Sequence, residues 1–230
     1  MHIAIMPDGN RRWAKERNLL GFMGHKAGAD TMERIIKTAF GVGVDCLTVW
    51  GASAANITER TKEETDFLFS VFENSFKNLA ESAEIKNARA RIRVIGEWHK
   101  FFPDSLREIC ENLMESTEKN DGPSLSFMLA YSGTGEMLEA AKKLAERKAS
   151  DPNFEITRES LKDNLMTAEL PPVDLVIRTG GEPHWSDGFM MWDTANSQLY
   201  FTETLWPAFT PEEFGSAIDR FNRTERRMGK

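Results

Sequence analysis

"VDLVIRTGGE" (residues 173–182) is the stretch that decides the fold. Leu175, Val176 and Ile177 form an apolar run with no alternating polar position, and Arg178-Thr179-Gly180-Gly181 follows at once. A strand with one wet face alternates in polarity, whereas a strand buried on both faces does not. Strands of the second kind belong to parallel sheets covered by helices. "CLTVWG" (46–51) has the same character, and further β-rich runs are "HIAIM" (2–6), "RIRVIG" (91–96), "LSFMLAY" (125–131) and "QLYF" (198–201).

Helical periods fill the intervals. Residues 26–40 place Ala27, Met32, Ile35, Ile36 and Ala39 on one side, and residues 61–85 do the same with Leu68, Val71, Phe72, Phe76, Leu79 and Ala83. Leu106, Ile109, Cys110 and Leu113 form a third stripe, and Met137, Leu138, Ala141, Leu144 and Ala145 a fourth. Strands alternating with helices need crossovers, so the expectation is an α/β fold with a mainly parallel sheet of about six strands flanked by helices. The 230 residues show no linker, repeat or low-complexity tract, and residues 1–230 are expected to form one domain.

Composition narrows the function. Hydrophobic residues make up 40%, enough for a core, and the net charge of -7 argues against nucleic acid as a partner. Cys46 and Cys110 sit in apolar stretches and read as buried thiols of a reduced, cytoplasmic protein. No signal peptide is expected, and no apolar run approaches the ~18 residues of a membrane span. Lipid contact would then be peripheral or inside a cavity.

In open parallel sheets, ligands bind beyond the carboxyl ends of the strands. "PDGNRRW" (7–13), "GASAANITER" (51–60), "YSGTGE" (131–136) and "RTGGEPHWSDG" (178–188) follow four of the runs and hold most of the non-helical glycines and arginines. Gly9 permits close backbone approach, and Arg12, Arg60 and Arg178 offer donors that suit phosphate oxygens. Asp8 among such groups would repel a phosphate unless a cation lay between them, and magnesium is the usual solution. A plainer account also stands: Asp8 caps a helix, Arg11 and Arg12 are solvated, and His25 is an ordinary residue at a helix start. Phe67, Phe69, Phe72, Phe76 and Met128 fit a packed core or an apolar tunnel equally well.

"HIAIMPDGNRRWAKERN", "GHKAGADTM", "PPVDLVIRTGGE", "FMMW", "LYFTETLWPAF" and "RTERRMG", in this order from residue 2 to 229, resemble the cis-prenyltransferases, which include undecaprenyl and dehydrodolichyl diphosphate synthases. The resemblance implies a homodimeric, magnesium-dependent enzyme. It would condense isopentenyl diphosphate with an allylic diphosphate such as farnesyl diphosphate, make a cis double bond, and thread the product through an apolar tunnel. It implies that Asp8 binds the metal and that Gly9, Asn10, Arg11, Arg12 and His25 line the allylic diphosphate site, with Trp13 beside the substrate. Ser53 and Asn56 match a pair linked to proton removal, Arg178 and Ser186 match groups that hold isopentenyl diphosphate, and Arg227-Met228-Gly229 matches a tail that reaches the partner subunit's site.

Several positions depart from the family pattern. Arg60 follows Asn56 after an apparent one-residue insertion, His184 replaces a phosphate-binding arginine, and Gln198 replaces a glutamate that would be the second magnesium ligand, a place its amide oxygen can still fill beside Asp8. Asp187 and Asp193 are candidate substitutes for that glutamate. The departures motivate two alternatives: a subunit of a heteromeric prenyltransferase, or an irregular enzyme that couples allylic units only. A nucleotide-binding module fits poorly, because neither GxGxxG nor GxxxxGK[ST] occurs.

Overall fold

The computed structural model describes residues 1–224, and its strands fall almost where the apolar runs predict. They are β1 (His2–Met6), β2 (Cys46–Ala52), β3 (Arg91–Ile95), β4 (Ser124–Leu129), β5 (Leu175–Arg178) and β6 (Gln198–Phe201). All five pairings are parallel, in the order β3-β4-β2-β1-β5-β6. Every carboxyl end therefore lies along one edge. From β1 the chain crosses to β2 on one side, while β5 pairs on the other. The order reverses between β1 and β5, which makes their tips the switch-point crevice.

The helices are α1 (Asn10–Glu16), α2 (Met23–Gly41), α3 (Ala54–Thr58), α4 (Lys62–Glu81), α5 (Ala83–Ala88), α6 (Trp98–Phe101), α7 (Asp104–Thr117), α8 (Gly133–Ser150), α9 (Arg158–Asp163) and α10 (Pro211–Arg223). Successive residues of β1 face opposite sides of the sheet. Ile3 and Ile5 join the larger core with Ile35, Leu47 and Phe76, while Ala4 and Met6 join a smaller one with Met128, Tyr131 and Phe189. Fully burying such an aliphatic side chain is worth about 1.5–3 kcal/mol.

Two sequence expectations fail. The helical period over residues 61–85 is broken at Ser82, whose ψ of 126° leaves the helical region and whose Oγ accepts the Ile85 N–H to start α5. Ala83 is exposed. On α8 the buried residues are Gly133, Glu136, Ala140 and Leu144, so of the expected stripe only Leu144 is buried. Leu138, Ala141 and Ala145 face outward because the buried Glu136 carboxylate sets the helix's rotation: it accepts from Tyr131 Oη at 2.5 Å and from the Thr167 N–H at 2.9 Å.

Cys46 and Cys110 are free and buried, and burial pushes their thiols up to about 11 and about 12. Among the described residues, no helix is long and apolar enough to cross a membrane.

Candidate active site

At the β1–β5 tips four charged side chains meet. Arg178, the last residue of β5, is almost fully buried, and its Nη2 lies 3.1 Å from Asp8 Oδ2 and 3.5 Å from Glu182 Oε2. Arg12 Nη2 lies 3.2 Å from Asp8 Oδ1 and 3.7 Å from Glu182 Oε1. Both arginines therefore sit between the same two carboxylates. Arg178 Nη1 donates to Ser186 Oγ at 2.6 Å and to the His184 carbonyl at 2.7 Å, and its buried Nε has no partner. The His184 ring completes the group, with Nε2 3.0 Å from Ser186 Oγ and Nδ1 3.6 Å from Glu182.

The backbone is built for this approach. Thr179 Oγ1 lies 2.9 Å from both the Asp8 N–H and the Asp8 carbonyl, and that carbonyl also accepts the Trp206 N–H at 2.9 Å. Gly9 begins α1 at φ 102°, and a Cβ there would meet Leu205 Cδ2 at 2.7 Å. Gly180, at φ 92°, passes so close that a Cβ would meet Arg12 Nη2 at 2.7 Å. No side chain caps α1, so the Asp8 carboxylate is not spent on its helix, contrary to the plainer account.

A second basic group draws on α1, α2 and the segment before α4. Arg60 Nη1 is 3.3 Å from His25 Nε2, and the exposed Arg11 reaches Glu64 at 3.9 Å. Burial first, then Arg60 and Arg11, lower the His25 pKa to about 4, so its ring is neutral at pH 7. Asn10 packs against Gly24 and Gly28 of α2, and its Oδ1 is buried without a partner. Trp13 carries the Arg17 guanidinium over its ring at 4.3 Å. Ser53 and Asn56 engage each other in a capping box around α3: Asn56 N–H donates to Ser53 Oγ at 3.0 Å, and Ser53 N–H to Asn56 Oδ1 at 3.4 Å.

Other expected members stand elsewhere. Gln198 opens β6 opposite Leu175, which is itself opposite Ile3, whereas Asp8 lies beyond Met6 at the other end of the sheet. The steps from Ile3 to Met6 alone span roughly 10 Å at about 3.3 Å per residue. Gln198 and Asp8 of one chain therefore cannot grip the same ion. Asp193 is buried against Lys162 Nζ at 2.5 Å, and the Asp187 carboxylate accepts from Thr134 at 2.7 Å, so each is engaged by a partner outside the Asp8 cluster. "YSGTGE" packs on the 187–188 loop rather than on Asp8. Gly229 lies outside the described residues.

Beside Pro7 and Asn10 opens a cavity of about 590 Å³ between α2, α4 and the sheet. Phe72 and Phe76 line it, while Met128 is packed on the opposite face and Phe67 lies against Phe22. The aromatic content that the sequence left ambiguous is thus divided between cavity wall and core. The residue that sequence reasoning passed over is Glu182. Its signal was an acid four residues after Arg178, inside "TGGE".

The two guanidiniums and the Ser186 hydroxyl present donors to phosphate oxygens. Asp8 and Glu182 add hard oxygen ligands of the kind magnesium takes together with phosphate oxygens and water. Among the described residues no three His, Cys, Asp or Glu side chains form a cage. The site fits an ion held jointly with a phosphorylated substrate.

Comparison with known proteins shows the family. The family model described as undecaprenyl diphosphate synthase matches residues 5–229. An isoprenyl transferase of Listeria monocytogenes is 37% identical over 233 residues, covering 99% of this chain and 89% of that protein. The crystal structure of lavandulyl diphosphate synthase from Lavandula x intermedia, in complex with dimethylallyl diphosphate, superposes with a TM-score of 0.90 at 29% identity, covering 100% and 98% of the two chains. A probable undecaprenyl diphosphate synthase from Campylobacter jejuni superposes with a TM-score of 0.79, also at 29% identity and with the same coverage.

Proposed function

The chain belongs to the undecaprenyl diphosphate synthase family, and on that premise we propose that it elongates an allylic diphosphate with isopentenyl diphosphate to a cis-polyprenyl diphosphate. The observation that supports this most is the adjacency of the Asp8–Arg12–Arg178–Glu182 cluster to an apolar cavity whose wall begins at Pro7 and Asn10.

In this reading the allylic hydrocarbon lies in the cavity. Its diphosphate rests at Gly9 and the start of α1, with Arg11, Arg12, His25 and Arg60 around it and Trp13 alongside. Arg178, Ser186 and His184 hold the isopentenyl diphosphate. Magnesium, when bound at Asp8 with phosphate oxygens, supplies charge to stabilise the departing diphosphate. The allylic C–O bond breaks and its electron pair leaves with the diphosphate. The alkene electrons of isopentenyl diphosphate form the new C–C bond, and loss of its C2 proton makes the cis double bond. Asn56 is exposed, and its side chain is tied by one long bond to Ser53. Its role is to turn toward that C–H bond and orient it to the departing diphosphate, whose oxygen takes up the proton. Arg178 is already fixed by Asp8, Glu182 and Ser186, so orientation costs little when substrate binds.

The working form is taken to be a homodimer in the cytoplasm, touching membrane only peripherally through its product, with the tail that carries Gly229 acting at the partner's site. Incubation with farnesyl diphosphate, labelled isopentenyl diphosphate and magnesium, followed by product sizing, tests the proposal. No incorporation with farnesyl, geranyl or dimethylallyl starters overturns it. A second reading, coupling of two allylic units, is supported by the superposition on lavandulyl diphosphate synthase and by His184 in place of an arginine. Product formed from dimethylallyl diphosphate alone would select it.

A further inference from the structure

The segment "YSGTGE" (131–136) follows β4 yet stays outside the Asp8 cluster, and its middle, Ser132 to Thr134, meets the loop after Ser186. That loop runs through left-handed backbone. Asp187, Gly188 and Met190 have φ of 45°, 60° and 45°, a region that a Cβ disfavours. Such a backbone persists only where its surroundings hold it. The far end is held by the core: Phe189 and Met190 are fully buried, and the Met190 carbonyl accepts from Thr194 Oγ1 at 2.8 Å. The near end is held by the start of α8. The Asp187 carbonyl accepts the Gly133 N–H at 3.0 Å and the Thr134 N–H at 3.3 Å, and Asp187 Oδ1 accepts from Thr134 Oγ1 at 2.7 Å. Ser132 Oγ lies 3.1 Å from Thr134 Oγ1 and accepts the Gly135 N–H at 3.0 Å, which caps the helix. The two backbones are so close that a Cβ on Gly133 would overlap the Gly188 carbonyl oxygen.

What this tether positions lies one residue back. Ser186 Oγ and the His184 carbonyl are the two acceptors of Nη1 on the buried Arg178, and the His184 ring lies 3.0 Å from the same hydroxyl. A loop free to leave the left-handed region at Asp187 would carry Ser186 away from Arg178. We propose that Thr134 and Asp187 are positioning residues, which hold Ser186 and, through it, Arg178 in place for the diphosphate of isopentenyl diphosphate. The proposal rests on the elongation reading. Neither residue touches the substrate; both act through Ser186. Their bond also keeps the Asp187 carboxylate over the start of α8, where helix N–H groups favour an anion, instead of beside the phosphate oxygens. The donors are thus oriented before the substrate arrives, which lowers the cost of binding it.

The test measures KM for each substrate, kcat and magnesium dependence of the full chain with farnesyl diphosphate and isopentenyl diphosphate. Thr134 is exposed, so Thr134→Val removes the hydroxyl with little effect on packing. It should raise KM for isopentenyl diphosphate roughly fivefold to tenfold, as for the net loss of one hydrogen bond. KM for farnesyl diphosphate and kcat should stay as in the wild type, because the change is remote from the allylic site and the reacting carbons. Thr134→Ser keeps the hydroxyl and should restore the wild-type KM. Asp187→Ala should raise the same KM, and Asp187→Asn, which still accepts at Oδ1 and tolerates left-handed backbone, should reverse most of that rise. Thr134→Val/Asp187→Ala should be no worse than Asp187→Ala alone, as expected for two ends of one bond. Unchanged KM for isopentenyl diphosphate in Thr134→Val, or an equal rise for both substrates, overturns the tether alone. So does a higher magnesium requirement in Asp187→Asn, which would make that carboxylate a metal ligand. A wild-type chain that incorporates no isopentenyl units overturns the elongation reading and the tether with it.

Discussion

Two clusters of buried charge occupy different places on the sheet, and they are built on different rules. On the side of Ala4 and Met6, Glu136 is 2% exposed and takes hydrogen bonds from Tyr131 and Thr167. Asp193 is 5% exposed and pairs with Lys162, and His2 lies between Thr48 and the Pro171 carbonyl. At the β1–β5 tips only Arg178 is buried, while the side chains of Asp8, Arg12 and Glu182 are 35%, 44% and 50% exposed. The first cluster is closed to solvent and largely satisfied by its own members, so its work is to fix packing. The second holds one arginine rigid and leaves its partners open to water, so a ligand can exchange with them. Burial alone does not mark a site; a buried charge with reachable partners does.

The sharpest way to break this contrast is to remove one acid from each cluster. Asp8→Ala should lower kcat/KM by ~10²–10³, about 3–4 kcal/mol of transition-state stabilisation. The melting temperature should fall less than the activity, since buried Arg178 keeps Ser186, the His184 carbonyl and Glu182 as partners and the exposed Arg12–Asp8 pair contributes at most about 1 kcal/mol. Steady-state rates and a thermal melt on the same preparation report both, and full activity would remove Asp8 from the mechanism. Glu136→Ala should do the reverse. It strands the buried Tyr131 hydroxyl and the Thr167 N–H, and together these should cost about 3 kcal/mol. That lowers the melting temperature by roughly 6–12 °C in a chain of this size, with KM for both substrates unchanged. A large KM change with an intact melt would place Glu136 in the site instead.

His25 gives a smaller effect with a definite sign. Its folded pKa of about 4 lies below the ordinary histidine value of 6.5, so between those values the unfolded chain binds more protons. Stability is therefore full above about pH 6.5, falls as pH is lowered through the window, and levels off below about 4. The loss attributable to His25 is up to about 3 kcal/mol. His2 is lowered by its burial too and adds in the same direction. Urea unfolding of the wild type and His25→Gln across this range isolates the difference, and parallel curves would refute the shift. Inorganic diphosphate bound beside His25 favours the imidazolium and should flatten the wild-type slope.

The strand tips were legible in the sequence because uninterrupted apolar runs such as Leu175–Ile177 end on glycine and arginine, and parallel topology brings all such ends to one edge. What lay hidden depended on three-dimensional detail. The rotation of α8 is fixed by bonds to Glu136 from Tyr131 and Thr167, which lies 31 residues away, and no period in Met137–Ala145 records them. The misplacement of Gln198 has another cause. A motif gives spacing along a chain, whereas β6 begins level with Ile3, at the end of the sheet far from Asp8. Whether Phe72 and Phe76 line a cavity or fill a core was settled by how far α2 and α4 stand apart, which side-chain polarity does not encode.

The finest test concerns His184, where the accessible cluster is weakest. Its backbone carbonyl anchors Arg178, so the residue's place is fixed whatever its side chain. The imidazole meets Ser186 Oγ at 3.0 Å and stands 3.6 Å from Glu182, so it already faces the groups that would hold isopentenyl diphosphate. An imidazole offers at most two donors, whereas a guanidinium offers five in a planar fork and can grip two phosphate oxygens at once. His184→Arg should therefore lower KM for isopentenyl diphosphate roughly tenfold, about 1.4 kcal/mol. It should leave kcat nearly unchanged, because a diphosphate remote from the reacting carbon is bound alike in ground and transition states. Equal KM values would mean that His184 points away from the bound diphosphate and that Arg178 and Ser186 hold it without help.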